Sequence, residues 1–278
     1  MVRIVSDTST LYSSAQALDA GFGVSPLSVH IGGKSYREFN EISSEDFVAI
    51  IHQGHMPTSS QPAIGEVAAL YDQYPENEIL NITMADGLSG TYGSAVSAKE
   101  LCENGDRITV LNSRTLCGPH RYLVEQAVKL ANEGQSVSEI VAGSEALMAT
   151  EKSYLIPADF AYLRRGGRLS PLVSYVGQAT HLAPILTLTE DARQLKIAGV
   201  RRNFIHAIKY VSTALAEHGV GEGWRLYITH ADARAQADKA HDMLRQAFPA
   251  AEIEIHPLSP AFITQGGPGC VAVQVIHA

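Results

Sequence analysis

Cysteine is scarce: Cys102, Cys117 and Cys270 are the three present, odd in number and without a CxxC pair. Neither a disulfide framework nor a cysteine zinc site is expected, and Cys117, beside Gly118-Pro119, is the one thiol marked for a reactivity test. No stretch approaches about 18 uninterrupted apolar residues, which excludes a spanning helix. A basic excess is missing too. The 21 Lys and Arg stand against 29 Asp and Glu without long runs of either sign, so no basic stripe is available to neutralise nucleic-acid phosphates. The eleven histidines lack metal-ligand spacing; His52 and His55 are the nearest approach, without Cys or carboxylate partners at suitable distance, and no metal is expected. The opening Met1-Val2-Arg3-Ile4-Val5-Ser6 enters a strand-like run directly, which leaves no room for a cleavable leader and sets the expectation of a cytoplasmic protein. There is no internal repeat and no low-complexity segment.

What is present reads as alternating strand and helix. Val2 to Ser6, Glu78 to Met84 and Arg107 to Asn112 are short apolar runs followed by small or polar residues, as strands feeding loops are, and should share one sheet. Helical spacing follows at Leu123, Ala127, Leu130 and Ala131, and again at Val137, Ile140, Val141, Ser144 and Leu147. The fold class expected is therefore α/β, with a mainly parallel sheet in the first half. The second half has α+β character: Ile185 to Thr189 and Gln194 to Gly199 form a hairpin around Glu190-Asp191-Ala192-Arg193, followed by a helix from Asn203, a strand at Trp224 to Thr229, a helix over Ala231 to Phe248, and strands at Glu252 to Pro257 and Cys270 to Ile276. At 278 residues two domains are expected, 1–155 and 156–278.

Four segments could carry chemistry. Gly87-Leu88-Ser89-Gly90-Thr91-Tyr92-Gly93-Ser94 lies between a strand and a helix read from Ala95, where free backbone N–H groups and the helix dipole favour an anion; a plain helix cap is the alternative. It is no nucleophile elbow, because Thr91 stands where GxSxG needs Gly, and no Walker loop. Pro57-Thr58-Ser59-Ser60-Gln61-Pro62 holds three hydroxyls and an amide between prolines, either a polar loop capping a helix from Gly65 or a rigid cradle for a polar head. Asp7-Thr8-Ser9 ends the first strand on the ligand-facing edge of an open α/β sheet. Asp7 reads as nucleophile, metal ligand, helix cap or organiser of nearby hydroxyls. Arg164, Arg165 and Arg168 surround Gly166-Gly167, with Arg201-Arg202 further on; they suit phosphate or carboxylate, or form ordinary surface charge. Ala261 to Gly269 reads as a Gly/Pro turn before the last strand.

In order along the chain, Asp7-Thr8-Ser9, Ser59-Ser60-Gln61-Pro62, Leu88-Ser89-Gly90-Thr91-Tyr92, Asn112-Ser113 with Gly118, Gly166-Gly167-Arg168, Pro184-Ile185-Leu186, Gly199 with Arg202 ahead of Ala207-Ile208, and Gly267-Pro268-Gly269 resemble the bacterial DegV family of fatty-acid-binding proteins over nearly the full length. The resemblance implies an α/β/α N-terminal domain, a smaller α+β C-terminal domain and a lipid tunnel between them. It implies a cofactor-free carrier, not an enzyme, that holds a long-chain fatty acid with its carboxylate at Ser59, Ser60, Ser89, Gly90 and Thr91. The partner it implies is a fatty acid kinase related to dihydroxyacetone kinases, which would phosphorylate the bound acid for phospholipid metabolism, with Arg168, Arg202 and Gln265 at the phosphate or the docking face. Gln265 replaces a His common in the family, Ser59 a Thr, and Ala183 a frequent Lys. Two other readings stand beside it: a hydrolase or phosphatase using Asp7 or Ser89, and a lipid-gated regulatory protein.

Overall fold

The computed structural model describes residues 1–170 and 182–278. They divide into two compact units, Met1–Ala149 with Ser259–Ala261, and Thr150–Leu258 with Phe262–Ala278.

In the first unit, β1 (Val2–Asp7), β2 (Gly23–Ser25), β6 (Glu78–Thr83) and β7 (Ile108–Asn112) form a parallel sheet in the order β2-β1-β6-β7. Side chains alternate across a strand, so a parallel sheet covered on both faces needs apolar residues at odd and even positions alike. Both are supplied. Val2 and Ile4 of β1 and Leu80 and Ile82 of β6 pack with Val124, Ala127, Ala131 and Ile140 from α5 (Cys117–Asn132) and α6 (Val137–Met148). Val5 and Ile79 face the other way, onto Val67, Leu70 and Tyr71 of α3 (Ile64–Tyr71) and Ala95 and Ala98 of α4 (Thr91–Leu101). The result is an α/β/α sandwich. Reciprocal capping boxes start two helices: Ser13 with Gln16 opens α1 (Ser14–Asp19), and Ser136 with Glu139 opens α6. A small antiparallel sheet, β4-β3-β5, joins β3 (Ser28–Ile31), β4 (Lys34–Arg37) and β5 (Thr58–Ser60), and α2 (Ser44–His52) lies between β4 and β5 in sequence.

The second unit is built on one mixed sheet, β10-β9-β8-β13-β11-β12. Its strands are β8 (Lys152–Ile156), β9 (Ala183–Leu188), β10 (Leu195–Arg201), β11 (Trp224–His230), β12 (Glu252–Pro257) and β13 (Val271–His277). The hairpin expected around 190–193 is β9–β10. Among the described residues of this sheet, only β11 and β12 pair parallel as strands, joined through α9 (Arg234–Ala247). With α8 (Phe204–Glu217), α9 buries one face of the sheet through Ala207, Ile208, Val211, Ala237, Ala240 and Leu244 against Leu226, Ile228, Val273 and Val275. The short α7 is Phe160–Gly166, and α10 is Pro260–Gly266.

Three local expectations are corrected. The helix after the Gly-rich segment begins at Thr91 rather than Ala95, because Gly93 costs a helix only about 1 kcal/mol and no proline interrupts the first turn. The Ser59-Ser60 segment does not cap α3, whose N-cap is Ala63 without a side-chain bond; it pairs as a strand instead. The segment from Ala261 is helical as far as Gly266, and the turn is confined to Gly267-Pro268-Gly269.

Leu80 is fully buried on the α5 face of β6. Leu80→Ala is expected to lower unfolding stability by about 3 kcal/mol, seen as a lower urea midpoint with an unchanged denaturant slope.

Candidate functional site

The carboxyl ends of β1 and β6 lie side by side because the two strands pair from Val2↔Glu78 to Val5↔Asn81. Beyond that pairing each chain turns, and polar side chains take over the backbone groups that the ladder no longer satisfies. Asp7 is 1% exposed. Its Oδ1 accepts from the Ser9 amide at 2.8 Å and its Oδ2 from the Met84 amide at 3.0 Å. Of the roles open to Asp7 in the sequence, capping and organising are the ones observed: both oxygens serve the backbone, which argues against a nucleophile.

Behind Asp7 sits His120, fully buried on α5. Its Nδ1 is 2.6 Å from Ser9 Oγ, and its Nε2 is 3.0 Å from the Ile82 carbonyl oxygen and 3.2 Å from Ser6 Oγ. Ser6 Oγ also donates to that carbonyl at 2.6 Å. Burial pushes the imidazole toward its neutral form, opposed by the nearby Asp7 charge. A proton on Nε2 satisfies the Ile82 carbonyl and leaves Nδ1 to accept from Ser9; this tautomer is assigned from the bonding pattern. Ser9 and His120 have the arrangement of a nucleophile and base, yet both are wholly buried, and a reacting group has no path to them at zero exposure.

The adjoining single 3-10 turn, Thr8–Thr10, serves a second buried carboxylate. Glu38 is 0% exposed; one oxygen accepts from Thr8 Oγ1 and the other from the Ala261 amide at 2.8 Å. Burial pushes its pKa up to about 7 against the opposing hydrogen bonds. Thr8 Oγ1 in turn accepts from the Leu27 amide at 2.9 Å.

The turn after β6 carries Ser89, Gly90 and Thr91. The Ala85 amide donates to the Thr115 carbonyl at 2.9 Å, while the Leu88 and Ser89 amides fold back onto the Ala85 carbonyl at 3.1 and 3.3 Å. Ser89 Oγ lies 2.8 Å from Thr91 Oγ1 and accepts from the Thr91 amide at 3.3 Å, at the N-terminus of the 11-residue α4, whose N-cap Gly90 offers no side chain. The β5 segment meets this turn. A Cβ at Gly90 would stand 2.9 Å from the Gln61 side-chain carbon, so the bare glycine is what lets the carboxamide lie across it. In register, Ser59 faces the buried Val29 and shares its side of the sheet, whereas Ser60 turns to the opposite, exposed side. Ser59, Ser89, Gly90 and Thr91 are thus on neighbouring segments, and Ser60 projects away.

The basic residues belong to the second unit. Arg168 Nη1 donates to the Gly166 carbonyl, and a Cβ on Gly166 would collide with Gln265, so Arg168 and Gln265 meet at this glycine. Gly267 and Gly269 follow with φ of +76° and +84°, and a Cβ at Gly267 would meet the Tyr162 ring at 2.7 Å. Arg202 is elsewhere: its Nε is 3.0 Å from His206 Nε2. Arg165 stacks over Tyr162 and Arg201 over Tyr210. Cys117 is 2% exposed, which removes it as an accessible thiol, and burial pushes Cys270 up to about 12. Among the described residues no group of three or more potential ligands could hold a metal ion, and no helix is long and apolar enough to cross a membrane. His52 ends α2 and His55 lies beyond it.

Sequence reading missed His120 and Glu38. His120 lies on the buried stripe of α5 with Leu123, Val124 and Ala127, and its spacing could have flagged it; Glu38 had no local signal, since its backbone partner is 223 residues away.

Because Glu38 titrates higher folded than unfolded, the folded state binds the extra proton between about pH 4.5 and 7. Stability from this group is therefore present at low pH and lost as pH rises through about 7. His120, displaced downward, has the opposite slope. The clean observable is the difference between proteins: relative to Glu38→Gln, the wild type should lose on the order of 2–3 kcal/mol of unfolding stability from pH 5 to pH 8, measured by urea denaturation across that range.

The family model described as "Uncharacterised protein, DegV family" matches residues 1–278. A DegV domain-containing protein of Staphylococcus aureus is 30% identical over 278 residues, covering 99% of this chain and 98% of its own. The crystal structure of DegV from Bacillus subtilis, described as a fatty acid binding protein, superposes with a TM-score of 0.87 at 25% identity, covering 100% of this chain and 99% of that one. A DegV family protein from Thermus thermophilus, whose structure is described in terms of fatty acid binding, shares the fold with a TM-score of 0.90 at 24% identity and coverage of 100% and 99%.

Proposed function

The chain belongs to the DegV family, and from that premise we propose that it is a carrier which buries one long-chain fatty acid and presents its carboxylate to a partner kinase. The observation that carries the reading is the meeting of the Ser59–Gln61 strand end with the Ser89–Thr91 turn, where the Gln61 carboxamide lies over Gly90. Two hydroxyls and the backbone N–H groups of a helix start suit a carboxylate. Ser59, Ser89, Gly90 and Thr91 are assigned to it; Ser60, on the far side of β5, is assigned to the rim.

The energetics favour such a division of labour. Each buried methylene contributes about 0.8 kcal/mol, so the tail supplies the affinity. The carboxylate contributes cost unless donors replace its water, and that is the task of the two polar segments. The kinase, of the dihydroxyacetone-kinase-like type, would bring ATP and transfer its γ-phosphoryl group to the carboxylate oxygen, leaving ADP and an acyl phosphate, an activated acyl donor for phospholipid assembly. Arg168 and Gln265, together at Gly166, and Arg202 are assigned to the phosphate or the docking face. No catalytic nucleophile is assigned to this chain: Asp7 is engaged by two amides and Ser89 by Thr91.

Solvent extraction of the purified protein followed by mass spectrometry should release a stoichiometric fatty acid. Ser59→Ala and Ser89→Ala should each weaken rebinding of the acid by about 10-fold or more. Protein that is empty and fails to bind added fatty acids would refute the carrier reading.

A further inference from the structure

The buried polar network beneath the Ser89 turn is larger than a helix cap requires. It grips one short run of backbone from two sides. Ile82 offers its carbonyl oxygen to His120 Nε2 and Ser6 Oγ, and two residues later Met84 gives its amide to Asp7 Oδ2. The remaining Asp7 oxygen takes the Ser9 amide, and Ser9 Oγ closes the circuit at His120 Nδ1. All six residues are buried, with Ser6, Asp7, Ser9, Ile82, Met84 and His120 between 0% and 3% exposed. The run they hold passes directly into Ala85, whose carbonyl receives the Ser89 amide.

We infer that Asp7 and His120 are positioning residues for the carboxylate site: through Met84 and Ile82 they set where the Ser89 turn emerges from β6, and so where its donors stand. The role rests on the reading of Ser89 as a carboxylate donor. A short buried chain of hydrogen bonds with every member satisfied is stiff, and stiffness at a binding turn reduces the ordering cost of capturing a charged group. It also makes the site selective, because donors fixed at one position reward a carboxylate and give less to a head group with a single oxygen.

The test uses the full-length, delipidated protein and two probes of equal chain length, hexadecanoic acid and hexadecan-1-ol. Asp7→Asn keeps the shape, but whichever way the amide turns, one of the Ser9 and Met84 N–H groups meets a donor. The expected result is a fall of about tenfold in the ratio of acid to alcohol affinity, with alcohol affinity retained, and no further fall when the change is made in a Ser89→Ala background. Equal losses for both probes would show a purely structural role and overturn the inference. So would an unchanged ratio in Asp7→Asn alongside a reduced one in Ser89→Ala. If Ser89→Ala itself leaves the ratio intact, the carboxylate assignment fails and the positioning role falls with it. Should Asp7→Asn not fold, His120→Gln serves in its place: its amide nitrogen can still reach the Ile82 carbonyl but the acceptor at the Nδ1 position facing Ser9 is gone, and the same ratio decides.

Discussion

One buried carboxylate ties together the edge of the first unit at which β1 and β6 end. Where β1 and β6 stop pairing, two backbone amides, Ser9 and Met84, would face a low-dielectric interior without partners, and Asp7 receives both. A charge at 1% exposure is tolerable only with such donors. The amides in turn are fixed by it. The short 3-10 turn and the Gly-rich turn thereby leave adjacent strands in defined directions, and the polar segments on α4 and β5 are placed relative to a rigid edge.

The same logic explains why the chemistry is segregated. The faces of the parallel sheet are mostly apolar, Val2, Ile4, Leu80 and Ile82 on one side and Val5 and Ile79 on the other, with Asn81 in β6 bonded to the Tyr71 hydroxyl, and most polar side chains gather where the strands end. Within β1, buried Ser6 is satisfied by donating to the Ile82 carbonyl. In the second unit the glycines do comparable work by omission: bare Gly166 admits Gln265, and bare Gly267 admits the Tyr162 ring.

How much of this was legible in the sequence depended on the range of the interaction. Strands such as Glu78 to Met84 and helices such as 137–148 declare themselves by periodicity, which is a local property. The Gly-rich turn was visible through its composition, although helix propensity alone did not show that Thr91 to Ser94 would join α4. The short strand Thr58–Ser60 was not legible, because its edge is supplied by Ser28–His30, and a three-residue polar strand has no pattern of its own. The buried acids were the hardest. Asp7 was visible by its place after a strand but not by its partners, and Glu38 sits among charged residues, Arg37 and Glu41, that read as ordinary surface. The ligand class proposed for the chain comes from family resemblance, since no periodicity carries such a property.

The bond from Glu38 to the Ala261 amide has a consequence for the order of events during synthesis. Residues 259–261 belong to the first unit yet are made after nearly all of the second. Until they emerge from the ribosome, Glu38 has Thr8 Oγ1 as a donor but lacks the Ala261 amide. Its sheet and helices can assemble early, since the apolar clusters on both faces of the parallel sheet are drawn from residues within 1–149, but the Glu38 partnership is complete only when the second unit has been almost completely translated. A single carboxylate thus makes the completion of the first unit wait on residues translated after nearly all of the second.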